Sequence, residues 1–430
     1  MKKQIRGCIL QLVALLLAPV ATLYVDCFNI LVILAIAFNL VVARKEFIGN
    51  LKESNLYLKL PLILLVYLLL HTVFLKLFGN EEARYSFSIF ESLGLYFIAL
   101  PLYLFSGRDL LEEPRLFKRV LLCFMYGVII FNTAAFFKLA GLELFSDPFG
   151  AIGRLAASRF GGNKEIFGGF IFLEPQALYI NLAAIIALYW STFSTNVRQK
   201  IGFIVLFMLL LFFLILTETK SAYISFIAGF CVWLFFFFKK RNWKFRLKYS
   251  CVIVVSLCLL LWCMPDSMKL RMKQAQTELN NALNDDLAGG GTIMPRVALY
   301  KVNFSHFREF GLWGLGVAYT NTVRQWYDDS AYRLAHLNDP HNSFMFFWLI
   351  GGVVGLLFVL ALFALPLWYM LRKKQFSYMA FAFWMMLFIA NNTTVLLSLN
   401  DSKPLILFFL TLILLKNDQL RRWENEYFLH

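Results

Sequence analysis

The residues best suited to chemistry close the longest polar stretch of the chain, where Asp339-Pro340-His341-Asn342-Ser343 precedes a return to apolar sequence. Pro340 disfavours helix at Asp339, and Asn342 and Ser343 are helix-capping types. This places His341 in the first turn of the following apolar helix. There the positive end of the helix dipole disfavours an imidazolium, leaving a neutral ring able to accept a proton near neutral pH. A capping or interface histidine is the competing reading, and spacing alone leaves both open.

Two cations complement that ring. Arg296 follows Pro295 at the expected start of a helix, where the helix terminus and the guanidinium both favour an anion. Lys220 closes the tight turn Thr217-Glu218-Thr219-Lys220 between two apolar runs, and a charge there is costly unless paired or interfacial. Their plain alternatives are a helix-terminal surface arginine and a lysine that snorkels and pairs with Glu218. Glu174-Pro175 opens another apolar run, its carboxylate either a helix-start charge or a ligand-facing acid. His71 lies mid-run and reads as packed, while His306 and His336 read as loop surface. Gly351, Gly352 and Gly355 have the spacing that lets helices approach closely.

The elements that must position these residues are set by composition. Hydrophobic residues make up 60% of the 430 and charged ones 16%, with a mean hydropathy of +0.67. That is too much apolar surface for a water-soluble globule, and it suits an all-α polytopic membrane protein. Apolar runs occur at roughly 8–25, 28–43, 57–78, 87–106, 118–140, 168–192, 201–217, 221–238, 250–265, 343–371, 377–392 and 404–416. They predict about 12 transmembrane helices, in which 1–265 carries nine, 266–342 is a large periplasmic loop, and 343–430 carries three and a tail.

The connections test this topology. Alternate ones are rich in Lys and Arg, from Arg44, Lys45 and Lys52 to Arg372, Lys373 and Lys374. With Lys2, Lys3, Arg6, Arg421 and Arg422, they put both termini in the cytoplasm. The net charge of +15 is therefore read as topology rather than as a face for nucleic acid. The first apolar run, lacking a small-residue cleavage site, reads as a retained span. The long loop nonetheless carries cations on the far side, among them Arg271, Arg296 and Arg308. Within it, Met268, Met272, Ala275, Leu279 and Ala282 mark an amphipathic helix, and Gly289-Gly290-Gly291 a joint. A second helix from Pro295 presents Val297, Tyr300, Phe304 and Phe307 on one face, and Gly311, Gly314 and Gly316 end it.

Seven cysteines, in or beside apolar runs and without metal spacing, read as free buried thiols. There is no phosphate loop, nucleotide fingerprint, zinc motif or nucleophile elbow. No cofactor or metal is expected, and an enzyme working outside the cytoplasm must use an already activated substrate. A secondary transporter would call for charges buried mid-bundle and inverted repeats. The charges instead gather on one external face, and no repeat is found.

Taken together, the motifs resemble the O-antigen ligase and polymerase superfamily. His341-Asn342 with Gly352-x-x-Gly355, Thr217-Glu218-Thr219-Lys220-Ser221-Ala222, Pro295-Arg296-Val297-Ala298-Leu299-Tyr300 and Gly314-Leu315-Gly316-Val317 follow its order over roughly 150–415. The resemblance implies a glycosyltransferase of the bacterial inner membrane acting at the periplasmic face, inverting and metal-independent. Ligases move a glycan from undecaprenyl pyrophosphate to a lipid A–core sugar hydroxyl, whereas polymerases extend the glycan on its carrier. By position, His341 would serve the acceptor hydroxyl, and Arg296 and Lys220 the donor pyrophosphate. Arg159, Arg271 and Glu174 are further candidate substrate contacts. The loop pattern around Arg271 and Arg296 favours ligase. One departure is Lys220, usually Arg in the family: the charge is kept and the bidentate fork lost.

Overall fold

A computed structural model describes residues 2–20, 25–52, 55–78, 93–139, 173–217, 219–239, 273, 276–278, 280–281, 294–332, 334, 337, 339–372 and 376–429. Helix is the only regular structure among them. In chain order these are α1 (Lys2–Leu16), α2 (Val25–Val42), α3 (Arg44–Lys52) and α4 (Asn55–Phe78). A π-helical turn (Leu93–Ala99) runs into α5 (Leu100–Ser106), followed by α6 (Arg108–Leu111), α7 (Pro114–Leu139), α8 (Leu173–Phe193), α9 (Val197–Leu216) and α10 (Lys220–Lys239). The remainder are α11 (Met294–Ser305), α12 (Phe307–Phe310), α13 (Tyr319–Asp328), α14 (Ser343–Arg372), α15 (Tyr378–Thr393) and α16 (Lys403–Leu429).

Six of these helices are long and apolar enough to cross a membrane, or seven if α2 and α3, bent by 111°, form one broken span. The expected twelve are thus not reached by length and composition. Helix does occupy most of the other apolar runs, but α1, α5 and α15 are short, and α16 carries Lys416 and Asp418 inside its length. The run 250–265 lies outside the described residues.

Burial separates the helices by role. α8 is enclosed almost throughout, its Ala177, Ala183, Ala184 and Ala187 fully buried, and it packs against α7, α9, α10 and α15. Alanine suits such a centre because the missing side-chain bulk lets neighbours approach. α4 and α9 instead leave stripes such as Ile63, Val66, Leu70, Phe74 and Leu77 exposed, as expected of surfaces that face lipid. Of the cysteines, Cys8, Cys27, Cys123 and Cys231 are free, but the first, second and fourth are exposed. The buried-thiol expectation is corrected for them: each sits on an outward apolar face.

One end of the bundle is locked by Arg6, read from sequence as a topology cation but only 4% exposed. Its guanidinium meets both carboxylate oxygens of Asp109 at 3.0 Å, Asn39 Oδ1 at 3.0 Å and the Ser106 carbonyl at 3.1 Å. Asn39 and Asn50 complete the network around Ser106 and Asp109. The bidentate fork that arginine alone offers ties α1, α2, α3 and α6 together.

The glycines of α14 do more than thin a helix face. Gly352 has φ +54° and breaks α14 in two. Into the break fits the segment after α12, where Leu315 and Gly316 N–H donate to the Leu349 and Ile350 carbonyls at 2.7 and 3.0 Å. Val353 N–H in turn donates to the Leu312 carbonyl at 3.1 Å. Gly314, at φ +79°, crosses Gly352 so tightly that a Cβ on either would strike backbone atoms. The expected close packing of helix on helix holds at Gly351, against Leu64 and Leu68 of α4, while Gly352 and Gly355 meet the loop and the first half of α14 itself.

Candidate active site

Helix α14 begins at Ser343, where the apolar run begins. Asn342 is its N-cap: its Oδ1 accepts from Phe344 N–H at 2.8 Å and Met345 N–H at 3.0 Å. His341 therefore stands before the cap rather than in the first turn, and the dipole argument for that ring does not apply in the form expected. Its backbone is left-handed, with φ +47°, the one non-glycine among the described residues to be so. The conformation is held by Asp339, whose Oδ1 accepts His341 N–H at 2.8 Å and lies 3.8 Å from Nδ1 of the ring. A left-handed residue is ordinarily glycine, so a histidine kept there points to a use for its side chain.

Around the cap, polar groups from three helices converge. Asn342 Nδ2 donates to the Tyr300 hydroxyl at 2.8 Å and to the Asn392 carbonyl at 3.1 Å. Ser343 Oγ donates to Asn391 Oδ1 at 2.8 Å and accepts from Leu397 N–H at 3.1 Å. Tyr300 lies on α11, one turn after Arg296, so the two share a helix face. The helix forms where Pro295 predicted it, but its buried residues are Met294, Ala298, Leu299, Val302 and Asn303. The expected apolar face is corrected accordingly: Phe304 and Phe307 are exposed.

Lys220 is the first residue of α10, and its ammonium lies 3.8 Å from Glu278 in the long loop. Glu218 lies outside the described residues. The described part of the first loop helix, Lys273, Gln276–Glu278 and Asn280–Asn281, is helical. Helix α10 packs on α15: Ser225 Oγ donates to the Met386 carbonyl at 2.9 Å, and Gly229 abuts Met386. Glu174, at the start of α8, lines a small cleft with Asn181, Ser221, Ala222 and Thr394. Asn342 and Tyr300 thus join the segment of His341 to the helix that carries Arg296, while Lys220 lies on α10, which packs on α15, at the end of the bundle where α8, α10 and α14 begin. Arg159 and Arg271 lie outside the described residues, as does His336.

The turn joining α15 to α16 carries Asp401, which the sequence marks only as a charge of a short external connection beside Lys403. Asp401 is 7% exposed, and neither carboxylate oxygen has a hydrogen-bond partner. Burial pushes its pKa up to about 7, against the weaker pull of the backbone N–H groups of Asp401 and Ser402 and of Lys403, with a smaller upward push from Glu174. Its backbone carbonyl accepts from the Tyr179 hydroxyl at 2.9 Å. Nearer the loop, burial also raises Tyr327, whose hydroxyl donates to Asn303 at 3.2 Å. Asn391 and Asn392 were missed, and Tyr300 was read only as part of an apolar face and of the motif that follows Pro295. The available signal was Asn391-Asn392-Thr393-Thr394, a polar run closing an apolar span.

His306 is not free surface: it stacks on Trp326 at 4.3 Å and its Nδ1 meets Glu309 at 2.7 Å. His71 stacks on Tyr67 at 5.6 Å, consistent with a packed histidine.

Residues 204–360, which hold Lys220, Arg296 and His341, match the family model described as O-antigen ligase. The match supports an O-antigen ligase family assignment. Over those residues the chain is similar to the O-antigen ligase and polymerase superfamily, whose members are glycosyltransferase-like enzymes of lipopolysaccharide biosynthesis. The family implies a lipid-linked glycan and a lipid acceptor in general terms, and with the apolar helices it supports a multi-pass membrane protein. No curated protein matches the chain.

Proposed function

We propose that the chain is an O-antigen ligase, transferring a glycan from undecaprenyl pyrophosphate to a lipid A–core sugar hydroxyl at the periplasmic face of a bacterial inner membrane. The observation that carries this reading is the left-handed His341, tied through Asn342 to Tyr300 and so to the helix that carries Arg296. In the proposed reaction the acceptor oxygen attacks the anomeric carbon opposite the leaving group. His341 takes the hydroxyl proton, the sugar–phosphate bond breaks, and undecaprenyl pyrophosphate departs with the bonding pair. Negative charge grows on the leaving group, and fixed cations stabilise it without reorganisation. Arg296 and Lys220 are assigned that role, and Arg159, Arg271 and Glu174 further contacts with the substrates. Glu278 beside Lys220 does not oppose this: a carboxylate can hold the ammonium until the pyrophosphate displaces it. No cofactor or metal enters the scheme.

The test is transfer in vitro with purified protein, a defined lipid-linked donor and rough lipopolysaccharide. Core-linked glycan should form with the wild type and not with His341→Ala. Elongation of the glycan on its own carrier, without core linkage, would make the protein a polymerase. In cells lacking the protein, a lipopolysaccharide gel separates the two, because core bearing a single repeat unit survives only if a polymerase has been lost. Movement of donor across the bilayer without transfer would make it a transporter.

A further inference from the structure

The loop segment that fills the break in α14 lies unexpectedly deep. Tyr67 is midway along the span Leu56–Leu77 of α4, yet its hydroxyl donates to the Trp313 carbonyl at 2.6 Å. A Cβ on Gly316 would meet Leu75 and His71 of the same helix. On α14, Gly352 is nine residues past Ser343, about 13 Å along the helix axis at the standard rise. Both helices therefore put Phe310–Val317 well inside the half of a bilayer nearest Ser343, whose apolar core is about 30 Å thick.

The segment has the composition and the bonding that such a position demands. From Phe310 to Ala318 the sequence reads FGLWGLGVA, without a charge, inside an otherwise polar loop. Irregular backbone survives at membrane depth only where its polar groups find partners in protein. Here Gly311 N–H donates to Phe307 and Gly314 N–H to Phe310, while Leu315 and Gly316 donate to the carbonyls left open by the helix break. On the acceptor side, Gly311 takes the Trp348 indole N–H at 2.9 Å, Leu312 takes Val353 N–H and Trp313 takes Tyr67. The break in α14 and the loop complete each other's hydrogen bonds.

Two large side chains are left over. Leu312 and Trp313 are 61% and 65% exposed; Leu69, Leu70, Val73 and Phe74 are exposed too, on the outward stripe of α4, the helix whose Tyr67 holds the Trp313 carbonyl. We propose that Phe310–Val317 is a re-entrant membrane element that presents Leu312 and Trp313 to phospholipid acyl chains. Its partner is the lipid itself, and the proposal is independent of what the neighbouring site transfers.

The experiment places the photo-crosslinking residue p-benzoylphenylalanine at 313 in the full chain, reconstituted in vesicles of phosphatidylethanolamine and phosphatidylglycerol. Illumination should attach phospholipid acyl chains at 313, several-fold above the yield with the same probe at Arg324, an exposed residue of α13. An adduct with another peptide of this chain, or a lipid yield no higher than at 324, would overturn the proposal. Should the probe at 313 prevent folding, Leu312 carries it instead with the same two outcomes. Separately, lipids brominated along the acyl chain should quench a smaller share of tryptophan emission in Trp313→Phe than in wild type. An unchanged quenched share means Trp313 does not touch lipid.

Discussion

Arg6 and His341 each stand beside an aspartate at an end of the bundle, and the two pairs are built differently. The buried Arg6 guanidinium meets both oxygens of the partly exposed Asp109 at 3.0 Å and satisfies two further acceptors. The His341 ring is about one-third exposed, stands 3.8 Å from Asp339 and rests on a left-handed backbone. Geometry that engages four of the five guanidinium donors contributes rigidity. Geometry that leaves ring nitrogens accessible on a strained backbone contributes reach toward something not part of the protein. The comparison separates the corner that holds the fold from the corner that can do work.

The sharpest way to break the comparison is to remove both features of His341 separately. His341→Ala should lower transfer by about 10²–10⁴-fold, the usual contribution of a positioned base, while leaving the melting temperature nearly unchanged. His341→Gly should lose as much activity yet gain roughly 1 kcal/mol of stability, because glycine carries no left-handed penalty. Wild-type transfer by either variant, in protein shown to be inserted and folded, removes the assignment.

Arg6→Ala should behave the other way round. Taking one partner from a buried, hydrogen-bonded pair costs about 3–5 kcal/mol, and the partial exposure of Asp109 puts this case near the lower figure. Unfolding of the purified protein in mild detergent should show that loss, while transfer per folded molecule stays within a few-fold of wild type. A large fall in activity with unchanged stability would mean the lock is coupled to the chemistry after all.

Asp401 tests a group that belongs to neither type, being buried like Arg6 but unsatisfied. Its folded pKa of about 7 lies above its ordinary value of 3.8. As pH rises between those values the unfolded chain releases the proton first, so this group's contribution to stability falls across that window and is flat above it. Wild type should therefore lose stability relative to Asp401→Asn from about pH 4 to pH 7. Lys403, Glu174 and Tyr179 face the same carboxylate, and all three remain in the Asn variant. Parallel melting curves over that range would show that the carboxylate is solvated.

These contrasts also explain what could be read from the chain alone. Apolar runs gave the helix positions because burial in lipid needs length and hydropathy, both written in composition. Pro295 and the Asn342-Ser343 pair marked helix starts because capping is local. The Arg6 lock was invisible because Asp109 is 103 residues away, and a cation near the N-terminus has a ready explanation in topology. Gly352 was seen as a small residue, but its positive φ depends on a loop arriving from Leu312. His341 was placed too far into the helix: with either Asn342 or Ser343 as the cap it lies before the first turn, as the structure has it.

Asn342 offers the finest cut, since one side chain serves both the fold and the site. Its oxygen caps α14, and its nitrogen reaches Tyr300 and Asn392. Serine also caps helices well, so Asn342→Ser keeps the first function and removes the second. Its stability should fall by less than about 1 kcal/mol, whereas alanine, losing the cap too, should cost about 0.5–2 kcal/mol. If the link through Tyr300 sets the register of His341 against Arg296, the serine variant should lose at least tenfold in transfer, since even small misplacement of reacting groups can cost about 10²-fold. Tyr300→Phe, which removes the hydroxyl from the other side, should reproduce that loss, and the double variant should be no worse than either single one. Additive losses would mean that Asn342 and Tyr300 act separately, and that the cap alone positions the histidine.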